Sequence, residues 1–156
     1  MNIALCQINT IVGDFEYNLD KILKCYFNCI KHNSDIIVFP ELCISGYPPQ
    51  DLLLDDRFIE KNLTVLKSVA SKSKAPLILG YIRKEGIHIY NSAAICYDGE
   101  IQSSCDKVLL PTYDVFDEDR YFTSGKSPQI VTIPYNGGSV KIGLQICEDL
   151  WDQDYD

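Results

Sequence analysis

Glu41, Lys107 and Cys147 close three apolar, strand-like runs, in the segments VFPE, CDKVLLP and GLQICEDLWD. A carboxylate, a cation and a thiol are the groups that amide cleavage by sulfur requires. The carboxylate takes the thiol proton, the sulfur attacks the carbonyl carbon, and the positive charge meets the developing oxyanion. The three residues are far apart along the chain, so they meet only if neighbouring strands deliver them to one sheet edge, where sites in layered α/β folds form. The pattern points to a thiol hydrolase of amides and to a fold that brings three strand ends together.

Each segment also has a plainer reading. Cys147 follows Gly-Leu-Gln-Ile and precedes Glu-Asp-Leu-Trp-Asp. A thiol at that break sits on a strand-to-helix turn whose next backbone N–H groups face an incoming carbonyl oxygen. The alternative is a small buried hydrophobe, the usual state of an intracellular cysteine. Glu41 follows Phe39-Pro40 among apolar and small residues that partly desolvate its carboxylate, as suits a general base; its alternative is a solvated strand end. Lys107 precedes Val108-Leu109-Leu110-Pro111, a setting in which a lysine needs a partner unless it is an edge-strand charge.

Other chemistries lack their residues. Of the two histidines, His32 ends a helical pattern, where a cation suits the dipole, and His88 begins a strand, so neither has the context of a Cys-His pair. No Walker loop, dinucleotide glycine fingerprint or zinc-spaced ligand set is present, and no metal is expected. Asn136-Gly137-Gly138 reads as a hairpin turn.

The 156 residues are 46% apolar and 23% charged, the balance of one ordinary globular domain. Fourteen basic against 22 acidic residues give a net charge of -8, which repels a phosphate backbone and argues against a nucleic acid partner. Met1 to Val12 has no basic n-region and reads as a first strand, and no run approaches a membrane span. The seven cysteines (6, 25, 29, 43, 96, 105 and 147) are odd in number and include no CxxC pair. That usage predicts reduced thiols and a cytoplasmic location.

The positioning elements follow from hydrophobic spacing. Ile3 to Ile8 predicts a strand, and Leu19, Ile22, Leu23, Tyr26, Phe27 and Ile30 one buried face of a helix. Asp35 to Phe39 predicts a second strand, parallel to the first, that stops at Pro40 and leaves Glu41 at its C-terminal tip. Ile59, Leu63, Leu66 and Ala70 predict a second helix and Leu77 to Tyr81 a third strand. From Gly86 the pattern becomes a meander, with strands over Ile87 to Cys96, Glu100 to Val108, Gln129 to Pro134 and Val140 to Ile146.

On these segments the chain resembles the carbon-nitrogen hydrolase (nitrilase) superfamily, whose site combines Glu, Lys and Cys. Within it, IALCQINTIVGDFEYNLDKI, PELCISGYPPQDLL, LLPTYDVFDEDRYF and GLQICEDLWD look most like the glutaminase domains of glutamine-dependent NAD synthetases. The resemblance implies an α/β fold, part of a four-layer α-β-β-α sandwich. It implies roles for Cys147 as nucleophile, Glu41 as proton acceptor, Lys107 as oxyanion-stabilising lysine and Glu118 as a supporting second glutamate. Tyr113, Tyr47, Phe116 and Glu148 are implied to contact bound L-glutamine.

The same resemblance implies that residues 1–156 are the N-terminal part of such a domain, apparently truncated, without the synthetase domain. No cofactor is expected on this chain; ATP and magnesium are implied only for the synthetase domain. Ammonia would be supplied for conversion of deamido-NAD to NAD, and the family implies a homo-oligomer. Two other readings stay open: an amidase or carbamoylase of the same superfamily, and an inactive remnant acting as an interaction module. Apolar faces of the later strands are expected to need covering.

Overall fold

The structure, a computed structural model, describes residues 1–154. Its elements are β1 (Ile3–Leu5), α1 (Phe15–Lys31), β2 (Ile36–Val38), α2 (Asp56–Ala70), β3 (Leu77–Glu85), β4 (His88–Tyr97), β5 (Glu100–Asp106), β6 (Gln129–Tyr135) and β7 (Gly138–Leu144). Short 3-10 turns span Gln50–Leu54, Glu118–Arg120 and Cys147–Asp154. Strands β1 to β5 form one sheet in sequence order: β1, β2 and β3 run parallel, and β3, β4 and β5 meander antiparallel. Strands β6 and β7 pair as a hairpin.

The two faces of the large sheet carry different loads. Ile37, Leu77, Leu79, Tyr81, Ala94 and Cys96 pack against α1 and α2. On the opposite face Ile36, Ile78, Ala93 and Ile95 pack against Val131, Ile133, Val140 and Ile142 of the hairpin. The period-2 alternation of side chains along a strand makes one strand serve both cores. The described residues thus form three layers, helix, sheet and sheet, of the mixed α/β arrangement expected.

Helix α1 starts where the Asp14 side chain accepts from Tyr17 N at 3.1 Å. His32 caps its C-terminal end, as the sequence suggests. Its buried residues are Phe15, Asn18, Ile22 and Tyr26, while Phe27 is 43% exposed. Leu19, Leu23 and Ile30 pack partly covered against the same core, so the expected face turns inward except at Phe27, and buried Asn18 anchors the preceding loop through Ile11 N, Ile11 O and Ile44 O. Helix α2 is capped by Asp55 and buries Ile59, Leu66 and Ala70; expected Leu63 is partly covered.

Four strands end two or more residues away from the sequence reading. Strand β1 stops at Leu5 rather than Ile8, one further bond running from Cys6 N to Val38 O, since Pro40 has no N–H to extend the ladder. Strand β3 continues to Glu85 because β4 supplies partners as far as His88. Strands β5 and β7 end at Asp106 and Leu144, two residues earlier than expected at each. Both shortenings have one cause, an aspartate in the candidate site.

Candidate active site

Glu41 lies in the loop after β2, which folds back over β3. Gly80 N donates to Pro40 O at 3.2 Å, and a Cβ on Gly80 would stand 2.1 Å from Leu42 N and 2.6 Å from the Glu41 carbonyl carbon. Only glycine admits so close an approach. Lys107 is the first residue past β5, and Gly125 plays the equivalent part there. Gly125 N donates to Lys107 O at 2.8 Å, and a Cβ on it would reach 2.6 Å from Asp106 O.

Cys147 opens the last 3-10 turn with φ +49°, in the left-handed region. A non-glycine residue held there marks a turn over-determined by its surroundings, the arrangement found at functional sites. Asp149 supplies much of that determination. One carboxylate oxygen accepts from Val108 N at 2.9 Å and Leu109 N at 2.8 Å, and the other accepts from Ile146 N at 2.9 Å. This buried side chain takes the N–H groups that would have continued β5 and β7, and it ties the Lys107 segment to the Cys147 turn.

Between these elements sits a buried charge cluster. Lys107 is 1% exposed, with Nζ 2.7 Å from Glu41 Oε1 and 3.0 and 2.8 Å from the two Glu118 oxygens. Burial alone would pull the ammonium down, but Glu41 and Glu118 outweigh it and hold the lysine above its ordinary value. Burial pushes the Glu118 carboxyl up, against Lys107 and against Tyr47, whose hydroxyl donates to Glu118 Oε1 at 2.9 Å. The Asn91 amide donates to Glu41 Oε1 at 2.6 Å.

The Cys147 thiol faces Glu41 across a cleft between the sheets whose walls include Phe39, Gly80, Ala93 and Ile146. Burial pushes its pKa up, the Glu41 charge adds to this, and Lys107 opposes. The resting sulfur is therefore a protonated thiol. It needs a base to react, and a carboxylate stands beside it.

The structure thus brings Glu41, Lys107, Glu118 and Cys147 together. Tyr47, whose peptide bond to Pro48 is cis, joins the cluster through Glu118. Tyr113 is 52% exposed at the rim, and its hydroxyl donates to Glu148 Oε2 at 2.9 Å. The Phe116 ring lies 5.7 Å from Tyr113 and 6.4 Å from Tyr47. Glu148 is itself buried.

Sequence reasoning missed Asn91 and Asp149, and both had a signal. Asn91 is a lone amide inside the apolar run of β4, and Asp149 is an acid two residues beyond the thiol in CEDLWD. The histidines stand apart, His32 Nδ1 against Asn28 O and His88 Nδ1 against Thr123 Oγ1. The seven cysteines are free. Among the described residues no helix is long and apolar enough to cross a membrane.

Comparison with known proteins agrees with this geometry. The family model for carbon-nitrogen hydrolases matches residues 2–153. The glutamine-dependent NAD(+) synthetase of Thermotoga maritima is 39% identical over 154 residues, 97% of this chain and 26% of that protein. That of Synechocystis is 37% identical over 161 residues, 97% of this chain and 28% of its own length. The chain therefore spans about a quarter of the length of these curated relatives. Among solved structures, the glutamine-dependent NAD+ synthetase of Acinetobacter baumannii superposes with TM-score 0.88 at 33% identity, over 97% of this chain and 28% of that one. An amidase from Nesterenkonia sp. superposes with TM-score 0.80 at 25% identity, over 96% and 56%. With residues 2–153 matched by the family model and its fold shared with these enzymes, the chain belongs to the carbon-nitrogen hydrolase family.

Proposed function

We propose that this chain is the glutamine-hydrolysing portion of a glutamine-dependent NAD synthetase, releasing ammonia for the ATP-dependent conversion of deamido-NAD to NAD. The observation that carries the reading is the position of Glu41 between a buried ammonium and a protonated thiol, in a chain similar over 97% of its length to such synthetases. Glu41 takes the Cys147 proton, and the thiolate adds to the side-chain amide carbon of L-glutamine. Lys107 and the backbone N–H groups at the Cys147 turn stabilise the oxyanion. The tetrahedral adduct collapses, Glu41 gives its proton to the departing ammonia, and a glutamyl thioester remains. Water attacks that thioester while Glu41 accepts a proton, and glutamate leaves as the thiol re-forms.

Glu118 holds Lys107 through both carboxylate oxygens. Tyr113, Phe116, Glu148 and Tyr47 form the rim that receives the amino acid end of glutamine. ATP and magnesium act outside the described residues in this reading. Asn136 and Gly137 belong to the β6–β7 hairpin turn. The one group of three metal-capable side chains among the described residues, Cys6, Cys25 and Cys29, offers soft sulfur donors unsuited to magnesium. A synthetase domain and a homo-oligomeric assembly complete the proposal.

The test is covalent labelling with a glutamine-like electrophile followed by peptide mass spectrometry. Cys147 is expected to be labelled ahead of the six other cysteines, and Glu41→Gln to slow labelling about 10²- to 10⁴-fold. Equal labelling of Cys43 or Cys105 would remove the assignment. The likeness to an amidase supports a second reading, hydrolysis of a free small amide. Turnover of glutamine against a panel of small amides separates the two.

A further inference from the structure

Asn91 is 1% exposed on β4, and its two ends do different work. Its backbone carbonyl accepts from Lys107 N at 2.8 Å, fixing the strand end that carries the lysine. Its side-chain nitrogen donates to Glu41 Oε1 at 2.6 Å. Its side-chain oxygen is buried with no hydrogen-bond partner among the described residues.

An ionised carboxylate only accepts hydrogen bonds. The charged and titratable groups that face Glu41 are Lys107 Nζ at 2.7 Å, the Cys147 thiol, Glu118 and Tyr47. Lys107 donates to Oε1, the same oxygen that the Asn91 amide reaches, so the Asn91 nitrogen is a neutral donor to the ionised form of the carboxylate.

We infer that Asn91 is a positioning residue for Glu41, its amide nitrogen donating to the carboxylate and favouring the ionised form that takes the thiol proton. The inference rests on the reading of Glu41 as the base. The proton moves from the Cys147 sulfur to a Glu41 oxygen and later to the departing ammonia; Asn91 gains and loses none.

The experiment follows the rate of Cys147 alkylation by a glutamine-like electrophile against pH, in the wild type, Asn91→Leu, Asn91→Asp and Glu41→Gln. Both Asn91 variants are expected to react roughly tenfold to a hundredfold more slowly near neutral pH, the scale of a hydrogen bond to a charged group. The acid limb of their profiles is expected to move to higher pH, because a carboxylate without its donor keeps its proton longer. A uniform slowing with an unmoved acid limb would mean a merely structural role and overturn the inference, as would a wild-type profile. Glu41→Gln separates the layers: if it keeps the wild-type rate and limb, the base assignment falls, whatever Asn91 does. Should the Asn91 variants fail to fold, the wild-type protein labelled with ¹⁵N-asparagine still decides. The Asn91 side-chain NH₂ resonances must titrate with the midpoint of the alkylation limb, and their failure to move would refute the inference.

Discussion

Consecutive residues at the end of β5, Asp106 and Lys107, belong to two triads of the same composition, one cation between two carboxylates. In the first, the Arg83 fork meets both Asp106 oxygens at 2.8 and 2.6 Å and reaches Glu85 at 2.8 Å. The Arg83 guanidinium stacks 4.1 Å from the Tyr90 ring, and Ser92 adds a bond to Asp106 at 2.6 Å. In the second, the point charge of Lys107 touches Glu41 and Glu118 with its side chain wholly buried. The difference is in what each leaves over. The planar fork saturates its carboxylate and makes a clamp between β3 and β5, as guanidinium geometry favours. The lysine and Asn91 both bond one oxygen of Glu41, whose carboxylate still faces the Cys147 thiol.

Four changes probe that contrast, beginning with the most damaging. Gly80→Ala places a Cβ against the backbone of Glu41 and Leu42. It is expected to cost about 4 kcal/mol or more in denaturant unfolding and to abolish Cys147 labelling. Lys107→Met leaves Glu41 and Glu118 facing each other with no cation. The expected loss is about 3–5 kcal/mol, the cost of breaking a buried pair, and labelling should vanish with it. A stable Lys107→Met protein would show that the buried triad is not electrostatically balanced as described.

Arg83→Met sits one step further down. The Arg83 side chain is 24% exposed, so solvent screens the loss to about 1–2 kcal/mol. Labelling of Cys147 should be unchanged, because Arg83 itself does not line the cleft. Labelling slowed tenfold would couple the two triads and end the distinction drawn here.

The most graded change is alkaline. Burial pushes the Cys43 and Cys96 thiols, which have no counter-charge, from 9.0 to about 12. Between those pH values the unfolded chain loses thiol protons that the folded chain keeps, so stability must fall as pH rises. The expected loss by pH 10 is about 1 kcal/mol for each thiol. Urea midpoints measured from pH 8 to 11 check this, and Cys43→Ala should flatten the slope.

Much of this arrangement was legible in the chain. The period of apolar residues marked both helices and all seven strands, and Pro40 correctly placed Glu41 beyond a strand end. Lys107 announced itself because an ammonium in an apolar run demands a partner. The exposure of Phe27 was not legible, because which stripe of a helix turns inward depends on neighbours such as Ile11 and Ile44. Nor was the early end of β5, since nothing local says that a single aspartate will accept from N–H groups about 40 residues away.

Local chemistry therefore determined the kinds of group available, a thiol at a strand break, a carboxylate after a proline and a lysine that needs a counter-charge, together with the elements that carry them. Only the tertiary structure decided who meets whom. Glu118 joins Glu41 on Lys107, Tyr47 turns to Glu118, Asn91 reaches Glu41, and Asp149 stitches two strand ends into one site. The physical reason is that propensity and periodicity act within a few residues, whereas pairing a buried charge requires an opposite charge brought close by packing, from anywhere along the chain.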